Sequence, residues 1–313
     1  MSDFELNLPD SGDTKYDPKI VADISNEFAT AAFRFGHSLI PNSINLALSP
    51  VRTKSNSCPI KDTFFKFEEF NIGSDLSGKA WQNMVRGIIE QESPEMDASI
   101  NNAVLDFLFC NNTCEIPGGF GQDLAARNIQ RGRDHGLQPY SKYRELCNLK
   151  LLTDWATKPE EISEEDWKNM EKVYKNVEDI DLFVGGLAEK SNGGLVGPTF
   201  GCLIGTQFQK LMSGDRFFFT HKDLGTNNEK GFPAKAKESI RKRTLGDVIC
   251  DNTEATETRA RVMVISNDVI KCSERPDIDF SAFVQTPSEH VFTYQLNFST
   301  NVQGLVQNTT MLS

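Results

Sequence analysis

"NEFATAAFRFGHSLI", residues 26–40, sets an arginine and a histidine one turn apart in a run that is otherwise apolar on nearly every side. At ~100° per residue, Phe28, Ala32, Phe35 and Leu39 line one side, and Ala29, Phe33, Gly36 and Ile40 line another. Thr30, Arg34 and His37 remain as a narrow polar strip between them. The pattern predicts a helix over about 24–40, opened near the capping-type residues Asp23 and Ser25 and stopped at Pro41. An apolar surround means burial, and a buried cation or imidazole needs a partner. Gly36 leaves room beside His37 for something bulky to approach the backbone. A core histidine satisfied by a neighbouring carbonyl is the ordinary explanation of such a residue. The rest of the chain argues for more.

The second unusual stretch is "LAARNIQRGRDHG", residues 124–136. Asn128 and Arg131 lie three apart and share a helix face, while Arg133, Asp134 and His135 crowd the helix end and Gly136 supplies a stop. Arginines there complement the helix dipole, which accounts for Arg131 and Arg133 but leaves Asn128 without a purpose. A metal-bound histidine gives its other ring N–H to an acceptor, and an Asn oxygen is a suitable one. An arginine one turn on pairs well with a carboxylate, that of a cofactor included, and Arg34 offers the same from the first helix. His135 reads as a structural residue at a helix terminus.

The 313 residues suffice for one large domain or two small ones, and 38% hydrophobic with 25% charged residues fits a globular chain. The net charge of -11 and a pI near 5.0 argue against a general nucleic-acid or anionic-membrane surface. No run approaches the ~18 apolar residues of a membrane span. The acidic start, "MSDFELNLPDSGDTKYDP", is no signal peptide. Seven cysteines and sequons at Asn111, Asn297 and Asn308 point nonetheless to an oxidising, secretory setting. No C-x-x-C pair is present. Together these features lead us to expect a fragment or an internal start.

Coarse periodicity is mainly helical. Two helices are expected over 77–110, broken at "ESPEMD"; one through "QDLAARNIQR" to about Gly132; and one in "QPYSKYRELCNL". "KPEEISEEDWKNMEKVYKNV" reads as an acidic surface helix, "VGPTFGCLIGTQFQKLMSGDRFFF" as a turn and a buried helix, and "SIRKRTLGDVICDNT" as one more helix. Residues 41–75 look irregular, and beyond about 285 the chain turns Thr/Asn/Gln-rich, as strand or tail.

The pair "FATAAFRFGHSLI" and "DLAARNIQRGRDHGLQPY" strongly resembles the animal-type haem peroxidase family. "VGPTFGCLIGTQFQKLMSGDRFFF", "LGDVICDN" and "KCSERPDIDF" follow in family order, so the resemblance covers roughly residues 5–285. It implies a mainly α, multi-helix peroxidase fold, with a partial domain over 1–285 and a divergent tail over 286–313. By the same resemblance His37 looks like the proximal ligand of the iron of haem b, and Asn128 like the residue that holds its imidazole. Arg131 matches an arginine near a haem propionate, and Arg34 one in the same proximal network. The family's cysteine-bearing stretches imply the disulfides Cys147–Cys202 and Cys250–Cys272. Cys110 and Cys114 are near enough to pair but can equally meet other cysteines.

The resemblance also implies what to expect ahead of residue 1: the distal histidine, the catalytic arginine and the calcium loop. His221, in a stretch that reads as a helix end, and His290, in the divergent tail, are poor substitutes, so no catalytic residue is expected within the chain. Peroxide cleavage needs a general base and a cation for the departing hydroxide. Two function classes follow. One is an oxidoreductase, secreted and linked to oxidative stress, that spends hydrogen peroxide on a small reducing donor once a distal half completes it. The other is a non-enzymatic remnant or splice form acting as a helical binding or scaffold module.

Overall fold

The helix expected over 24–40 breaks at Ala31. In the computed structural model, α1 spans Asn26–Thr30; Ala31, at φ -136° and ψ -67°, leaves the helical region, and Ala32–His37 continues as a 3-10 helix. The break strands carbonyls that a continuous helix would occupy. Arg34 takes one of them, its Nε donating to the Ala29 carbonyl at 3.0 Å. The structure describes residues 13–47, 54–65, 80–110, 119–191, 193–223, 230–264 and 268–283, with two short strands at 293–294 and 311–312.

An antiparallel hairpin follows, β1 (Ser43–Ala47) on β2 (Lys54–Pro59), with Ile44 opposite Cys58. It occupies the stretch whose sequence looks irregular. Against β1 packs α2 (Ala80–Ile89), and α3 (Asn102–Leu105) is a single turn rather than the full helix expected there. Next, α4 (Leu124–Asp134) is opened by the Asp123 side chain, which accepts from the Ala126 amide at 2.9 Å. It runs two residues beyond Gly132 and ends where Gly136 adopts φ 65°, the left-handed stop. The short α5 (Tyr140–Leu146) precedes α6 (Glu164–Val173), which buries only Trp167 and Met170 and turns its charges to water.

The centre of the molecule is formed by α7 (Leu182–Ala188) and α8 (Pro198–Gly214), the latter with proline at its first position. A side chain on Gly185 would lie 2.2 Å from the Tyr140 ring, and one on Gly186 2.1 Å from that of Phe200. Those two glycines let α7 lie directly on both rings, and Tyr140, Phe200, Leu152, Ile162, Ile180 and Leu182 are wholly buried around them. Within this core sits a charged knot. The Glu189 carboxylate accepts from Arg144 Nη1 (2.8 Å), the Tyr140 hydroxyl (2.6 Å) and both the amide and the hydroxyl of Thr199 (2.7 and 2.6 Å). Burial pushes the Glu189 carboxyl up, against the pull of these partners. The disulfide Cys147–Cys202 ties α5 to α8 beside it.

The single helix expected in "SIRKRTLGDVICDNT" is two: α9 (Ala234–Lys242) and α10 (Leu245–Asn252). Thr244 forms a capping box with Asp247 and restarts the chain between them. Cys250–Cys272 then joins α10 to the end of a small antiparallel pair, β3 (Glu257–Arg259) and β4 (Val269–Lys271), and Arg275 pairs with Asp247 at 2.5 Å. In the tail, β5 (Thr293–Tyr294) pairs with β6 (Met311–Leu312). Cys110 is also disulfide-bonded, whereas Cys114, His290 and the sequons at Asn111, Asn297 and Asn308 lie outside the described residues. Among the described residues no helix is long and apolar enough to cross a membrane.

Candidate functional site

The 3-10 winding of Ala32–His37 decides where its polar residues point. Such a helix has about three residues per turn, so side chains three apart eclipse one another. Arg34 and His37 therefore project on one side, where the buried face of α4 meets them. The entry to this segment is fixed from α8. Gln207 donates to the Asp23 carbonyl at 2.8 Å, and its side-chain oxygen accepts from the Ser25 amide at 2.7 Å. Its exit is fixed at Ser38, a buried hydroxyl that donates to the Asp97 carbonyl at 2.9 Å.

Asn128 is fully buried and joins the two side chains of the strip. Its amide oxygen accepts from Arg34 Nη1 at 3.0 Å, and its amide nitrogen lies 2.7 Å from His37 Nδ1. The two groups are within hydrogen-bond reach, as expected, but the direction of the bond is reversed. The sequence suggests that Asn128 accepts from the ring. A guanidinium has only donors, so the face of the amide toward Arg34 must be the oxygen, and the nitrogen is left to donate to Nδ1. This role of Arg34 has no signature in the sequence, because it depends on the break at Ala31.

The electrostatics favour a neutral ring. His37 is half-buried, and desolvation followed by the Arg34 charge lowers its pKa. Arg34 is lowered as well, by burial and then by repulsion from Arg131. Arg131 bonds to neither His37 nor Asn128, and its carboxylate neighbour is Asp134 at 3.7 Å on the exposed surface. The site thus concentrates positive charge beside an uncharged imidazole. A Cβ on Gly36 would meet nothing within 4 Å, so the backbone next to His37 is uncovered at that position. A neutral imidazole and two arginines suited to carboxylates, beside an uncrowded glycine, fit the donor set of a haem pocket wall. Among the described residues, no group of three or more His, Cys, Asp or Glu side chains is placed to hold a bare metal ion.

Neighbouring features are structural. His135 caps α4, with its Nδ1 2.9 Å from Asn26 Oδ1 and its carbonyl accepting from the Asn26 amide group. Arg133 does more than complement the helix dipole, since it grips Asp181 through Nε and Nη2 at 2.9 and 2.7 Å while the Tyr174 hydroxyl donates to the same carboxylate. That cluster borders a cavity of about 400 Å³ that Asn128 touches and His37 does not line, and there Arg133, Tyr174 and Asp181 are committed to one another. His221 is no helix end. It is wholly buried beyond the end of α8, its Nδ1 2.8 Å from Thr14 Oγ1.

A family model for the animal haem peroxidases matches residues 1–264. The chain belongs to the animal haem peroxidase family. It is 34% identical to a peroxidase of Drosophila melanogaster over 86% of this chain and 38% of that relative. With thyroid peroxidase of Rattus norvegicus the identity is 31%, over 87% of this chain and 29% of that one. The solved structure of peroxidase A from Dictyostelium discoideum matches with a TM-score of 0.57 and 36% identity, covering 66% of this chain and 38% of its counterpart. The haem peroxidase relatives are therefore much longer, and this chain spans well under half of each.

Proposed function

We propose that this chain forms the proximal wall of a haem peroxidase, within a domain unit over 1–285 followed by a tail over 286–313. The observation that carries the reading is the His37–Asn128–Arg34 cluster, a neutral, half-buried imidazole held at Nδ1 by a buried amide, next to a glycine whose Cβ position is uncrowded. His37 would ligate the iron of haem b through Nε2. Asn128 would fix the plane of the ring, and Arg34 and Arg131 would offer their guanidinium groups to the carboxylates of the propionates. Bound haem supplies two-electron reduction of hydrogen peroxide at the expense of a small reducing donor. The partner that would complete the site is a distal wall carrying the general base, the cation that steadies the departing hydroxide, and the family's calcium site. Disulfides agree with a secreted protein.

Reconstitution with haem tests the reading. The chain should give a Soret band that His37→Ala abolishes and His135→Ala leaves in place. Equal bands in both variants would overturn the assignment. The second reading, a helical scaffold without turnover, is favoured by the engagement of the other described histidines in structural bonds. A Soret band with no peroxide turnover, even alongside a distal half, would select it.

A further inference from the structure

The orientation of the Asn128 amide has a consequence for how His37 becomes a ligand, and this consequence rests on the haem-binding reading above. With the amide nitrogen donating to Nδ1, the neutral ring carries its own proton on Nε2. That is the wrong tautomer for a histidine that must offer a lone pair at Nε2. Arg34 is what holds it there. Its acceptors are the Ala29 carbonyl and the Asn128 oxygen, and among the described residues no carboxylate lies within ion-pair distance of it. While its Nη1 points at Asn128, turning the amide over would set two donors against each other.

We propose that Arg34 is a positioning residue that sets the tautomer of His37 through Asn128, and that capture of a carboxylate by Arg34 reverses it. A carboxylate that draws Nη1 away releases the amide oxygen. The carboxamide then rotates by about half a turn about its terminal torsion, which is a soft one. The oxygen now accepts from Nδ1–H. One proton leaves Nε2 for solvent and one reaches Nδ1 from solvent, so the ring stays neutral and its Nε2 lone pair is presented. Anion capture at Arg34 and ligation at His37 therefore strengthen each other, as coupled sites must do reciprocally. A porphyrin with free propionates engages both, whereas one whose carboxylates are esterified engages only His37.

Ring-nitrogen NMR of the ¹⁵N-labelled chain reads the tautomer directly, with the His37 signals assigned by their loss in His37→Ala. The free chain should show Nε2–H. Metal-free protoporphyrin IX, which offers carboxylates but no iron, should exchange the two nitrogen shifts, and its dimethyl ester should not. Asn128→Asp, with an acceptor on each side, should hold Nδ1–H with or without porphyrin. Arg34→Met, a second variant, should already populate Nδ1–H in the free chain. With haem itself, esterification should weaken binding within the ~5–150-fold range usual for coupled sites, and by less in Asn128→Asp. A free chain already in the Nδ1–H form overturns the coupling. So does a tautomer indifferent to the free-acid porphyrin. If the Soret band still depends on His37 in either case, haem binding stands without the switch. A chain with no His37-dependent Soret band loses both.

Discussion

Asn128 links two side chains that do not otherwise meet a common partner among the described residues. It is fully buried, it satisfies Arg34 with its oxygen and His37 with its nitrogen, and replacement leaves both partners wanting. Asn128→Ala should weaken haem binding by the ~10–100-fold typical of losing the group that orients a metal-bound histidine. It should also cost about 1–3 kcal/mol of stability through the unsatisfied groups left behind. Spectrophotometric haem titration together with urea unfolding measures both, and an unchanged haem affinity would remove Asn128 from the site. The pH response follows from His37. Its pKa in the folded chain is lowered by desolvation and by Arg34, so it resists protonation more than an unfolded histidine does. Its contribution to stability is present above the unfolded value of about 6.5 and is lost as pH falls through the lower folded value. Haem affinity should therefore be level above about pH 6.5 and decline only below the folded-state value, and a decline beginning near neutrality would contradict this. At this scale the sequence is informative about which side chains meet. The polar strip identifies Arg34 and His37, and the spare asparagine three before Arg131 identifies Asn128. It does not reveal which amide atom faces the ring, because that is settled by an arginine 94 positions away.

The elements that are legible in the sequence are those whose signals are local. Ser163 before an acidic first turn marks α6, and Pro198 after Gly197 marks α8. The break at Ala31 is not, because every residue from Glu27 to Phe35 is compatible with a helix and the cause is tertiary: Gln207 clamps the entry and Ser38 the exit. The β1–β2 hairpin is equally hidden. Ile44 and Leu46 alternate on one strand, but the facing strand, "KSNSCP", is too polar to show a period. Cys147–Cys202 joins elements that the core already holds together, whereas Cys250–Cys272 ties α10 to the end of β4 outside that core. Closing loops of 55 and 22 residues contributes about 4 and about 3 kcal/mol in the chain-entropy account. The Glu189 knot spans α5, α7 and α8, and it is where a single charge should matter most. Glu189→Gln leaves Arg144, with a side chain only 4% exposed, facing Glu161 at 3.6 Å as its remaining carboxylate. A loss of about 3–5 kcal/mol in urea unfolding is expected, as for other buried pairs broken on one side. A change below about 0.5 kcal/mol would mean that Glu161 and the Tyr140 hydroxyl suffice.

As a whole, the molecule is a peroxidase-family chain, and its described residues build one wall of the proposed site. Family membership is legible from five motifs in order, while the shape of the surface they leave exposed is not, because exposure depends on packing. Phe33 is 51% exposed although its ring stacks on Phe28 with centroids 4.6 Å apart, and Phe208 beside it is 37% exposed. These rings adjoin the same 3-10 segment that carries His37. Apolar patches of this kind are sites of association. Chemistry on the open side needs a base to take the proton from hydrogen peroxide, and the described histidines other than His37 are committed elsewhere: His135 to Asn26 and His221 to Thr14 in the interior. The isolated chain, given haem, should therefore self-associate in sedimentation velocity runs. It should also turn over peroxide more slowly than an intact family member by at least the ~10²–10⁴ that general acid–base catalysis contributes. Adding a distal half that bears a histidine and an arginine should restore both the monomeric state and the rate. A monomer with full turnover on its own would show that the chain builds its base from a group other than these three imidazoles.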